Sequence, residues 1–360
     1  MGRDRLAALL AVLLLGTAGC TATDAGSDAP QPDRPSSPAP TQSPAETPAQ
    51  TTASAEPSPR TSGTPTPTPP HRVSVAAMIR TKFTGKGLRV GRVLADAGAY
   101  TRYAVRYRSQ GLRVSGIMNV PAGRGPFPVL ILNHGYIDPD VYVTGQGLAR
   151  EQDWLARRGY VVLHTDYRNH ASSDKDPNVD YELRLPYAVD VVNAVRAVKR
   201  SDLPYLDGER VGLLGRSMGG SVTLNALVAR PALVDAAVVY ASTSSLAADN
   251  WRQFYQGESD RSDINARMRR TYGLPHQSPQ FWREASPRPY FDRVRAPVLL
   301  HHGTADDTCP PQWSRATLRA LRASGKQARL LTYAGEGHTM YAQWERSMRR
   351  TRGFFERHLR

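Results

Sequence analysis

The stretch Gly215-Arg216-Ser217-Met218-Gly219 constrains the fold more than any other part of this chain. A short apolar segment, Val211–Leu214, runs into it, and a helix-like run, Val222–Arg230, leaves it. A strand that turns at once into a helix holds its corner residue in a strained backbone conformation. Glycines on both sides are needed because a Cβ would clash where the two arms approach. The turn lifts the Ser217 hydroxyl clear of the backbone. It also sets that hydroxyl over the unpaired N–H groups and positive field of a helix N-terminus. The five residues alone fit a glycine-rich turn with a chance serine; the flanks favour a nucleophile.

The surrounding pattern matches such a turn. Tyr100–Arg108 and Leu112–Val120 alternate in polarity around Gln110-Gly111, which predicts an antiparallel hairpin with one solvated face. Leu88–Leu94 adds a strand before it. From Val129 the pattern changes: Val129–Leu132 is continuously apolar, as expected where both faces are covered, and Tyr160–Leu163, Val211–Leu214, Ala236–Tyr240, Pro297–His301 and Ala328–Tyr333 read as the strands that follow. Helical periodicity fills the intervals at Gln146–Arg158, Tyr187–Lys199, Val222–Arg230, Gln312–Ala323 and Trp344–His358. Alternation of this kind predicts an α/β fold: a mostly parallel sheet with helices on both faces and antiparallel strands at its N-terminal edge. The interval at about 242–290 is long, charged and aromatic, with Trp251, Phe254, Tyr255, Tyr272, Phe281, Trp282 and Tyr290. It is read as a small helical cap over the site, against the plainer alternative of helices packed on the side of the sheet.

A serine nucleophile needs a base, and the base needs an orienting group. In a parallel α/β sheet, ligands sit beyond the carboxyl ends of the strands. Strand Pro297–His301 is followed by a loop with Asp306 and Asp307, and strand Ala328–Tyr333 by Gly335-Glu336-Gly337-His338. The chain order Ser217, Asp306, His338 makes Asp306 the acid, with Asp307 its neighbouring competitor, and His338 the base. Two donors must face the developing oxyanion. The Met218 amide supplies one, and the Tyr136 amide, after Asn133-His134-Gly135, the other. His134 is not assigned as a base. No histidine, cysteine or acidic spacing points to a metal, and the glycines form no dinucleotide or phosphate loop, so no cofactor is expected.

The ends read differently. Residues 1–19 resemble an export signal, with Arg3 and Arg5 before the apolar Leu6–Leu15 and small residues up to Cys20. The apolar run is short for a membrane span. Cys20 is expected to carry a lipid, although Thr17 departs from the usual lipoprotein pattern. Residues 21–72 are rich in Pro, Thr, Ser and Ala and almost without larger apolar side chains, and are expected to form a disordered tether. The catalytic domain is then 73–360. The expected location is the outer face of a bacterial cell membrane, or the medium if Cys20 is not lipidated. With Cys20 and Cys309 the only cysteines, a lipidated Cys20 leaves no disulfide. A net charge of +15 raises nucleic-acid binding, but no basic block or recognition motif accompanies it, so no nucleic-acid partner is expected.

Taken in order, Asn133-His134-Gly135-Tyr136, Gly159-Tyr160-Val161-Val162 running to Asp166-Tyr167-Arg168, Gly215–Gly220, Ala285-Ser286-Pro287 with Tyr290, Ala296–Gly303 with Asp306 and Pro310, and Gly335–His338 resemble the catalytic domain of the prolyl oligopeptidase family. The resemblance implies an α/β-hydrolase with Ser217 as nucleophile, His338 as base and Asp306 as its orienting acid. It also implies hydrolysis of small peptides. The segment before the domain does not resemble the family's β-propeller, and Arg216-Ser217-Met218 is similar to small acyl esterases. Ester hydrolysis is therefore the alternative chemistry. A ligand-binding lipoprotein without turnover is the alternative class, and it leaves the three residues unexplained.

Overall fold

The computed structural model describes residues 69–359. The export segment, Cys20 and residues 21–68 of the expected tether lie outside the described residues. Within them, the chain runs α1 (Val75–Arg80), β1 (Lys86–Asp96), β2 (Tyr100–Ser109), β3 (Leu112–Pro121), β4 (Phe127–Asn133), α2 (Ala149–Ala156), β5 (Val161–Thr165), α3 (Leu185–Lys199), β6 (Leu206–Arg216), α4 (Met218–Ala229) and β7 (Ala236–Tyr240). Three short helices follow, α5 (Ala247–Phe254), α6 (Ser262–Tyr272) and α7 (Pro279–Glu284). The chain closes with β8 (Val298–Gly303), α8 (Pro311–Ala323), β9 (Ala328–Tyr333) and α9 (Trp344–His358).

The strands form one sheet in the order β1-β2-β3-β5-β4-β6-β7-β8-β9. Pairings β1/β2, β2/β3 and β3/β5 are antiparallel, and every pairing from β5/β4 to β8/β9 is parallel. This is the α/β-hydrolase fold that the sequence predicts. Side-chain alternation divides the interior in two. Val129 and Ile131 of β4 join Leu213, Val239 and Leu300 in a core with α3 and α4, while Leu130 and Leu132 join Leu214, Val238 and Tyr240 in a core with α2 and α9. A strand buried on both sides has no polar face, which is why β4 reads as a continuous apolar run.

Two boundaries differ from expectation. α2 begins at Ala149 rather than near Gln146, because Gly145 and Gly147 take left-handed conformations (φ 82° and 102°) that end the loop without helix. β6 begins at Leu206, well before its apolar part. Backbone pairing of Leu206 and Asp207 with Phe127 and Pro128 extends the ladder, although the polar stretch Asp207-Gly208-Glu209-Arg210 separates Leu206 from the apolar run.

Candidate active site

The corner at Ser217 has the strain its sequence demands. Ser217 sits between β6 and α4 at φ 56°, ψ −123°, outside the basins that L-residues favour. Three backbone bonds hold it there. Its amide donates to the Tyr240 carbonyl (3.0 Å), and its own carbonyl accepts from Gly220 (2.9 Å) and Thr243 (3.2 Å). A Cβ on Gly215 would strike the Gly219 carbonyl, and one on Gly219 would strike the Asn133 carbonyl. The glycines thus let β6, α4 and the end of β4 close on one another.

The loop after β4 supplies the opposite wall. A Cβ at Gly135 would lie 3.1 Å from the Ser217 Cβ, so this backbone passes directly beside the nucleophile. Among the described residues, the amides of Tyr136 and Met218 have no protein acceptor. They remain available to a negative oxygen. His134, just before, is buried in an aromatic stack, 4.3 Å from the Tyr167 ring and 4.8 Å from that of Tyr142. Burial, with His164 and His170 nearby, holds its pKa well below the usual value, so its ring is neutral and packed rather than a base.

At the other side stands the acid–imidazole pair. His338 Nδ1 donates to Asp306 Oδ2 (2.9 Å), with Oδ1 at 3.1 Å. The same carboxylate accepts from the Thr308 amide (3.0 Å), the Cys309 amide (2.8 Å) and His302 Nε2 (3.0 Å). Burial alone would raise the Asp306 pKa. Hydrogen bonds from His302, His338 and the Cys309 amide outweigh burial and hold it below the ordinary carboxylate range. Asp306 is therefore ionised and fixes the His338 tautomer, leaving its Nε2 lone pair to face outward. Asp307 is exposed and contacts its own Thr308 hydroxyl instead of His338. Ser217 and His338 both line a cavity of about 350 Å³, together with Tyr136, Met218 and residues of α5.

Several residues here escaped sequence reading. His302 is wholly buried behind Asp306. Its Nδ1 lies 2.6 Å from Ser314 Oγ and its Nε2 2.8 Å from the Cys309 carbonyl. Only a donating Nε2 suits both a carbonyl and a carboxylate, so the ring is a buried strut that hydrogen-bonds the back of Asp306. Arg216 pairs with the buried Glu151 and donates to the Thr339 carbonyl (3.1 Å). Trp344 Nε1 donates to the same Glu151 (2.9 Å). The residue before Ser217 is thereby bonded to the residue after His338. Such contacts span 65 and 123 positions of chain and leave no trace in spacing. Cys309, fully buried, has its thiol pKa pushed up to about 12 by burial and by Asp306, against the Ser217 hydroxyl. It is a packed thiol, not a second nucleophile. Among the described residues no cluster of ligands could hold a metal.

A strained serine at a strand-to-helix turn beside a carboxylate-held imidazole, on this sheet, defines a serine hydrolase of the α/β-hydrolase class. The chain belongs to the prolyl oligopeptidase family, whose sequence profile matches residues 147–360. It is 28% identical over 250 residues to the uncharacterized peptidase YuxL of Bacillus subtilis, a match that covers 66% of this chain and 35% of that protein. It is 24% identical over 237 residues to the uncharacterized peptidase YtmA of the same organism, covering 66% of this chain and 85% of the other. Among solved structures, an acylaminoacyl peptidase of Pyrococcus horikoshii superposes with a TM-score of 0.55 at 23% identity, over 72% of this chain and 42% of that one. An acetyl xylan esterase from Paenibacillus sp. R4 superposes with a TM-score of 0.60 at 19% identity, over 79% and 92%. At these identities the structural likenesses speak for the fold.

Proposed function

We propose that this protein hydrolyses the amide bonds of small peptides through an acyl-enzyme on Ser217. The observation that carries the reading is the Asp306-held His338 on the same small cavity as the strained Ser217. Ser217 Oγ attacks the carbonyl carbon while His338 Nε2 takes its proton. The negative oxygen settles between the Met218 and Tyr136 amides. His338 then returns the proton to the leaving amine as the C–N bond breaks. Water, deprotonated by His338, attacks the ester that remains, and the acid leaves as Ser217 regains its proton. Asp306 stays ionised throughout and stabilises the transient imidazolium. The family and the named peptidase relatives support the amide substrate.

Hydrolysis of carboxylic esters by the same steps is the second reading. Arg216-Ser217-Met218 supports it, as does a relative named acyl-coenzyme A thioesterase 1, from Homo sapiens, 29% identical over 135 residues. The export reading extends the proposal: a lipid on Cys20 holds the enzyme outside the membrane, with residues 21–72 as its tether. Comparing kcat/KM on aminoacyl p-nitroanilides and on p-nitrophenyl esters of matched acyl groups decides the chemistry. Nitroanilide turnover is expected. Ester turnover with no nitroanilide turnover would replace the peptidase reading by the esterase one.

A further inference from the structure

The cavity beside Ser217 has an uneven charge. Its wall holds two guanidiniums, Arg184 and Arg261, and no carboxylate among the described lining residues. Both cations are largely removed from solvent, with side chains 11% and 16% exposed. They stand on opposite elements. Arg184 precedes α3, and Arg261 lies in the single helical turn between α5 and α6. Both lie over the Tyr136 ring, at 4.1 Å and 4.7 Å from its centroid, and both approach Tyr255 at 5.3 Å and 5.4 Å. Arg184 is neutralised by Asp180 (2.7 Å). For Arg261 the nearest paired carboxylate is Asp260, 3.9 Å away and 73% exposed, which water screens. Arg261 Nη1 also donates to the Phe254 carbonyl (2.9 Å), a neutral partner, so Arg261 is a half-buried charge without a close buried anion.

The local backbone adds weight to the placement. Leu183 and Arg184 are consecutive non-glycine residues in left-handed conformation (φ 55° and 56°), and both face the cavity. Such strain persists where the surroundings over-determine it. The same wall carries two buried polar atoms without a protein partner, Thr243 Oγ1 and Asn225 Oδ1. A neutral apolar acyl group would leave the Thr243 hydroxyl and the Arg261 guanidinium without a ligand partner, while Asn225 Oδ1, an acceptor, calls for a donor. A carboxylate would accept from the guanidinium and from the Thr243 hydroxyl at once.

We infer that the acyl portion of the substrate carries a carboxylate: an aspartyl or glutamyl residue before the scissile bond, or the acyl group of a dicarboxylic half-ester. The inference rests on the hydrolase reading of Ser217. The pocket selects the charge, and the Ser217 machinery acts on whichever bond follows it.

The test compares isosteric pairs. kcat/KM is measured at low salt on N-acetylglutamyl and N-acetylglutaminyl p-nitroanilide, and on monomethyl glutarate and its methyl glutaramate analogue. The anionic member is expected to be favoured ~10-fold or more, the scale of one well-placed charged contact. Which pair shows the preference separates the peptide source from the half-ester source. Arg261→Gln should collapse the ratio towards one, and Arg261→Lys should keep part of it, with thermal melts checking that both variants fold. A preference for the neutral member, or a ratio unmoved by Arg261→Gln, would overturn the inference. Calorimetry on Ser217→Ala with N-acetylglutamate α-methylamide and its glutamine counterpart tests the pocket without turnover. Tighter binding of the acid supports the inference even if the hydrolase reading fails. Equal binding refutes it even if that reading stands.

Discussion

The two walls of the cavity treat charge in opposite ways. On the histidine wall every charge is matched inside the protein. Asp306 takes hydrogen bonds from two backbone amides, from His302 and from His338, and Arg216 is matched by Glu151 beneath. On the wall built by Tyr136, α5 and the turn that follows it, the Arg261 charge meets two tyrosine rings, the Phe254 carbonyl and one water-screened carboxylate, Asp260. Matched charges hold geometry, because removing either partner would leave a buried charge alone. One without a close buried anion is open to a ligand. The first wall is what any acyl transfer needs, and the second is where this chain can choose its substrate.

The sharpest way to break this contrast is at the acid. Asp306→Asn keeps the shape but turns a pure acceptor into a group that also donates, which upsets the His338 tautomer. A fall of ~10⁴-fold in kcat is expected, the scale of losing the charge of a triad acid. The exposed Asp307→Asn should change kcat by less than about twofold, in line with ordinary surface substitutions. If the two variants behaved alike, the histidine wall would not be the catalytic one. Smaller effects come from Arg261, whose replacement should shift substrate preference ~10-fold through the other wall.

A separate effect, on stability rather than rate, comes from the buried histidines. Burial lowers the pKa of His134 well below the usual value, and brings His164 and His301 to about 3. All three are neutral when folded, yet the unfolded chain binds their protons below about pH 6.5. The unfolded state therefore gains protons first, and stability must fall as pH drops from about 6.5 towards 4. The slope is about 1.4 kcal/mol per pH unit for each histidine. The Asp306 carboxylate acts in the same direction but at lower pH. Its contribution is complete above the ordinary carboxylate range and is lost only as pH falls through its lower folded pKa. Melting temperature measured between pH 7 and pH 4 should thus decline while Asp306 is still ionised. A flat profile would show that these histidines are hydrated or charged in the folded protein.

The same contrast separates what the sequence shows from what it hides. Ser217, Asp306 and His338 could be proposed from sequence because each follows a strand, and strand ends collect in one place by the topology of a parallel sheet. The choice between Asp306 and Asp307 rested on chain order, and the structure turns only Asp306 towards His338. His302 was hidden because the sequence ends the strand at His301, whereas β8 runs to Gly303 and buries His302, and only the turn of the following loop brings Asp306 back onto its ring. Arg184 and Arg261 were hidden for a different reason. Each looks like one of many arginines in a basic chain, and what sets them apart is the shared Tyr136 ring, brought from a third segment. Periodicity also missed the start of β6, because the polar stretch Asp207–Arg210 interrupts the apolar pattern there.

The most direct measurement is covalent labelling of the full chain with a fluorophosphonate, with the adduct located by mass spectrometry. A single adduct on Ser217 is expected, lost in Ser217→Ala and slowed in Asp306→Asn, together with at least ~10³-fold loss of kcat in Ser217→Ala on any confirmed substrate. An adduct on another residue, no adduct at all, or a loss of less than tenfold in Ser217→Ala would contradict the assignment of Ser217 as the nucleophile.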